Sequence, residues 1–246
     1  SKIIDTIGRQ RMAAVVSDST GNTRSHRKKL VIEIPTIQDL PDIVHFLSRM
    51  IGDIVKLPFF KEPILVVRAV IMKLNKSHGG KWDLDEAKKA FGIGRGLEAI
   101  GKTRFGTIIF ASASVQRNLP AIKHVVRQGR VDFGDHASCF STHVTRKSSA
   151  FEISLRQLVA VGTPAVKALT CLESNEATAG DVYIFWHAVM RATKEVIEDP
   201  SNEFPSEVQE QILGILNARH SQVFADGNLS TSADLYLAGA YLNPGT

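Results

Sequence analysis

The 246-residue chain has only two cysteines, Cys139 and Cys171, so neither a disulfide framework nor a cysteine-rich zinc site can hold it together. Its longest apolar runs fall short of the ~18 residues that span a bilayer, and Ser1–Ile4 does not open a signal peptide, which points to a soluble, reducing compartment. Catalytic signatures are equally scarce. The eight histidines show no HxH or HExxH spacing, and there is no GxSxG nucleophile turn. Phe91–Gly96 (FGIGRG) lacks both GxGxxG spacing and a Walker lysine, and it follows a lysine-rich helical segment instead of a strand, so a phosphate-loop reading is rejected. His136, Cys139 and His143 lie in a polar stretch without a convincing fourth zinc ligand.

What is present is a globular composition, 43% hydrophobic and 22% charged, long enough for a sizeable core. The formal net charge of +5 hides a polarity. Residues 1–150 carry 25 basic and 13 acidic side chains, whereas 151–246 carry 5 and 12. The first portion is suited to a polyanion; uneven charge on solvated helices is the alternative.

Met12–Asp18 reads as a short strand running into a helix N-terminus, with Ser19 or Thr20 as cap. Thr23–Ile34 follows as a helix with one wet basic face bearing Arg24, Arg27, Lys28 and Lys29, and Pro35 stops it. Pro41 is expected to open the next helix, with Ile43, Val44, Leu47, Ile51 and Ile54 at helical spacing. Ile64–Leu74 favours helix by length, Ser77–Lys81 is a loop, and the glycines of 92–101 make that stretch irregular. Helices are predicted at 107–118, 121–128, 151–161, 164–172, 180–197, 205–223 and 230–241, with Gly134–Lys147 as a long exposed loop.

Asp18, at the carboxyl end of the strand, is placed to project into a cleft and contribute to a divalent-metal site, or else to serve as a turn or cap residue. Asp42 and His45 sit three apart on one helix face. They suit a shared hydrogen bond or a phosphate, or else a helix-dipole acid beside a half-buried imidazole. Thr103-Arg104-Phe105 sets a guanidinium beside an aromatic plane, a pairing able to hold phosphate and stack on an unpaired base; Phe105 as a core residue is the alternative.

Taken in order, Val15-Val16-Ser17-Asp18-Ser19-Thr20-Gly21-Asn22, then Asp42, His45 and Asp53 with Ser48 at an asparagine position, then Thr103-Arg104-Phe105, then Ala240-Tyr241-Leu242-Asn243-Pro244, resemble the hAT superfamily of DNA transposases. The resemblance implies an α+β, predominantly helical fold. A partial ribonuclease-H-like core over 1–57, with the strand Met12–Asp18, would be followed by a helical insertion domain over 58–246. It implies Asp18 as the second acid of a DDE triad that holds Mg²⁺ or Mn²⁺, and Asp42 and His45 as the (C/D)xxH pair near the cleavage site. Arg104 and Phe105 would match the element that captures a flipped base, with phenylalanine where tryptophan is usual. It further implies transposon-end DNA as partner, contacted by Arg24, Arg27, Lys28 and Lys29. Possible self-association, a nuclear location and no small-molecule cofactor also follow. Asp5, Glu173 and Glu176 do not match the first and last acids, so the chain reads as an internal fragment binding DNA in a salt-sensitive way without nicking it. A domesticated non-catalytic scaffold and an unrelated helical protein stay open as alternatives.

Overall fold

Alanine and valine make Ala14–Ser17 the first strand, β1, and the next helix starts at Gly21 with Thr20 as its N-cap residue. The computed structural model describes residues 2–17, 20–101, 105–141, 143–174, 176–225 and 230–242. Over these the protein is mostly helical with one small sheet. The order is α1 (Lys2–Ile7), β1, α2 (Gly21–Glu33), β2 (Gln38–Pro41), α3 (Ile43–Ile54), α4 (Lys61–Lys76), α5 (His78–Ala90), α6 (Gly106–Arg127), α7 (Arg146–Leu172), α8 (Ala179–Glu198), α9 (Ser206–His220) and α10 (Ser230–Leu242).

By contact density the chain falls into two units. One comprises Ser1–Met50, Ala168–Met190 and Leu213–Thr246; the other comprises Ile51–Lys167 and Arg191–Ile212. In the first unit, β1 and β2 pair in parallel, Ala14 opposite Gln38 and Ser17 opposite Pro41, with α2 as the crossover. Ile4, Ile34 and Ile37 are buried beneath this βαβ arrangement, with Met12, Val15 and Leu30 packed against them. Gly8, at φ 97°, ends α1 in a conformation that a side chain disfavours.

The second strand corrects the sequence reading, in which Pro41 opened a helix. Gln38–Pro41 has no β-branched residue, and it is extended because β1 offers it a ladder. Proline, which has no N–H to give, stands at the last strand position. The helix begins at Ile43, with Asp42 before it.

In the second unit, α4 and α6 supply much of the core through Val67, Leu74, Ile109 and Ile122, with Phe60 buried just before α4. Ser77–Lys81 is not a loop: the Ser77 hydroxyl accepts from the Gly80 N–H at 3.2 Å and caps α5. Two predicted breaks are also absent. Helix α6 runs through Pro120, and α7 runs through Gly162 and Pro164. Gly162 is a close-packing position, because a Cβ there would lie 2.6 Å from Ile109 Cγ1. Gly134–Phe140 winds into 3₁₀ turns around the buried Phe140 in place of an exposed loop.

Phe91–Gly101 is irregular, as expected, but is tied to α6 by side chains. Ser114 Oγ accepts from the Glu98 N–H at 2.9 Å, and Asn118 Nδ2 donates to the Arg95 carbonyl at 3.2 Å. Both side chains are fully buried, so the polar stripe on α6 exists to satisfy a backbone that lacks secondary structure.

Candidate functional site

Parallel strands bring their carboxyl ends together, and in α/β arrangements that end is where polar side chains converge. Here it is furnished by Ser17 from β1, Arg27 from α2, Asp39 from β2, Asp42 before α3 and Tyr236 from α10, all in the first unit.

The face of α2 turned inward follows from its register. Thr23, Arg27, Leu30 and Ile34, spaced by four, three and four, are half-buried or buried, while Arg24, Lys28 and Lys29 are exposed. Arg27 is therefore not on the wet face predicted for it; it is 5% exposed. Its Nε–H donates to the Asp39 carboxylate, and Nη1 donates to the Ser17 carbonyl at 2.8 Å and to the Ser17 hydroxyl. A buried guanidinium needs a carboxylate and further acceptors to offset its lost hydration, and these two strands supply them. Arg27 thus locks β1, α2 and β2 together.

Asp18 and Arg104 lie outside the described residues. Asp42 is the N-cap of α3: its carboxylate accepts from the backbone N–H of His45 at 3.2 Å, so the bond between this pair runs to the main chain. The imidazole of His45 is half-buried. Tyr236 is buried at the same end; burial, and then the negative charge of Asp42, push its phenol above the ordinary range, while Arg27 pulls it back. At pH 7 it is neutral, a donor or acceptor and not a phenolate.

The described carboxylates at this end are engaged, Asp39 with Arg27 and Asp42 with the α3 N-terminus. Among the described residues no group of three His, Cys, Asp or Glu side chains is placed to hold a metal ion. The described donors therefore do not make a divalent-metal site by themselves.

Phe105 belongs to the second unit. It is 40% exposed just before α6, and its ring lies against Gly52, where a Cβ would come within 2.8 Å of it. Lys56 Nζ is 5.1 Å from the ring centre. The missing side chain at Gly52 is what lets the aromatic plane sit on the backbone of α3. In the same unit His136 and Cys139 line a cavity of about 290 Å³ with Glu62 and Lys147. Burial pushes the Cys139 thiol up, against the pull of Lys147, which disfavours a nucleophilic role.

Asp39 and Tyr236 were not singled out from sequence. Asp39 has Gln38 before it and Leu40 after it, a mixed stretch that gives no local signal of a buried partner. Tyr236 carries no local signal. No helix among the described residues is long and apolar enough to cross a membrane. No family model, curated protein or solved structure matches the chain.

Proposed function

We propose that this chain is part of a hAT-type DNA transposase or a transposase-derived protein and that it binds transposon-end DNA through α2. The observation that carries the reading is the division of labour on that helix. Arg27 is consumed in holding the strands, while Arg24, Lys28 and Lys29 stay exposed along the helix that follows β1. Three exposed cations on one short helix suit phosphate oxygens, which set affinity and position without reading sequence.

The parallel βαβ arrangement supports a ribonuclease-H-like ancestry, since in such a core β1 and β2 would form part of a larger sheet. The exposed ring of Phe105 supports contact with an unpaired base. Strand cleavage and transfer with Mg²⁺ or Mn²⁺ belong, in this reading, to a complete protein in which Asp18 is joined by two further acids. A non-catalytic DNA-binding scaffold is the second reading, favoured by the engagement of Asp39 and Asp42.

The test is fluorescence anisotropy with a labelled duplex across a salt series. Neutralising Arg24, Lys28 and Lys29 together should lower the slope of log K against log[salt] by about 2.7, at ~0.9 per phosphate contact. Binding that ignores salt, or a slope untouched by the triple variant, refutes the proposal. Mg²⁺-dependent nicking that is abolished in Asp18→Ala separates the catalytic reading from the scaffold.

A further inference from the structure

The first unit holds a second set of side chains that DNA binding leaves unused. His187 lies on α8 and His220 is the last residue of α9. Their ring centres are 5.6 Å apart, with the planes at 67°. After His220 the chain winds into a π-helical turn, Ser221–Ala225, a rare geometry that tends to accompany functional positions. That turn sets Phe224 against both imidazoles, at 5.7 Å from His187 and 5.1 Å from His220. Tyr183, one helical turn before His187, packs on its ring at 4.5 Å. The aromatic walls hold the two imidazoles in place, and His187 remains exposed enough for an ion to reach it.

An imidazole nitrogen lies about 1.2 Å from its ring centre and zinc–nitrogen bonds run about 2.0–2.1 Å, so two histidines meeting one ion at a tetrahedral angle have ring centres about 5.3 Å apart. The observed 5.6 Å is close to that separation. We propose that His187 and His220 together bind one divalent transition-metal ion of the zinc class, with water in the remaining positions. Imidazoles suit zinc, nickel and copper, whereas magnesium and calcium require oxygen donors. The ion would tie the end of α9 to α8.

The experiment is titration of ZnCl₂ into the full chain, followed by calorimetry and by long-range ¹H–¹⁵N spectra of the eight imidazoles. The expected result is one ion per chain, with two of the eight imidazoles shifted and no response to MgCl₂. His187→Gln and His220→Gln should each weaken zinc at least tenfold, whereas His78→Gln should not. The spectra of the unsubstituted protein decide the matter even if a variant folds poorly. No imidazole shift at millimolar zinc overturns the proposal and leaves an edge-to-face ring contact. So does a shifted set that excludes His187 and His220, or unchanged zinc affinity in both folded variants.

Discussion

Arg27 is the residue where two accounts of α2 make opposite predictions, and Arg27→Met tests them. Methionine keeps the apolar stem but removes the charge and leaves Asp39 facing a buried site. Removing one partner of a buried ion pair costs about 3–5 kcal/mol. The Asp39 side chain retains 32% exposure, and water there replaces part of the lost attraction, so the lower end applies. A loss of about 3 kcal/mol lowers the melting point of a chain this size by roughly 6–12 °C. Trp186 is fully buried in the same unit as Arg27, whereas Trp82 is 61% exposed in the other. Trp186 fluorescence in a Trp82→Phe background therefore reports unfolding where the substitution acts. Asp39→Asn should also destabilise: the amide oxygen still accepts from Nε, but the guanidinium, the more buried partner, loses the charge that compensates it. Arg27→Met combined with Asp39→Leu should recover much of the loss, since no charge is then left unpaired. Under folding conditions Arg27→Met should leave the salt slope of DNA binding unchanged. The combined Arg24→Ala, Lys28→Ala and Lys29→Ala variant should lower that slope with under about 0.5 kcal/mol of stability change per substitution. An Arg27→Met protein as stable as the parent, or one whose salt slope falls by about 0.9 as for a lost phosphate contact, refutes the reasoning.

Gly162→Ala should destabilise by about 1–3 kcal/mol in urea unfolding, because the new methyl meets a β-branched Ile109 that cannot swing clear; adding Ile109→Ala should relieve the clash. Phe105→Ala should weaken binding to single-stranded or hairpin DNA by about 5- to 150-fold, the equivalent of ~1–3 kcal/mol of base stacking, with duplex affinity little changed. Gly52→Ala, which displaces the ring without removing it, should shift the same assay in the same direction. Thr178 and Asp181 form a reciprocal cap on α8, Asp181 accepting from the Thr178 N–H and hydroxyl at 2.8 and 2.7 Å. Those bonds hold the Asp181 carboxyl below its ordinary value, so its contribution is complete above the unfolded pKa, near 3.9, and disappears as pH falls through the depressed folded value. The stability gap between the parent and Asp181→Asn, followed by thermal melts from pH 7 to 2, should be constant down to about pH 4 and then close.

Much of the helical architecture was legible, because apolar spacing near 3.6 shows directly in Ile43, Leu47, Ile51 and Ile54 and in the α4 stretch. The misreadings share a cause. Pro120, Gly162 and Pro164 break helices in isolation, but here they lie inside long ones, and Gly162 is where Ile109 needs room. Gln38–Pro41 was missed because its extended form comes from pairing with β1, not from its own residues. At the strand ends, Asp42 was recognisable as a helix-start acid, whereas Tyr236 arrives from a helix nearly two hundred positions later.

Sequence alone determined that a short strand leads into a basic helix and that the positive charge is concentrated in the first 150 residues. Side-chain chemistry and local periodicity suffice for both. Which cation on that helix stays in water was decided only by the tertiary structure. Burying a guanidinium is unfavourable everywhere except where acceptors already wait, and Asp39, twelve residues on, and the Ser17 carbonyl meet Arg27 only after the two strands have paired.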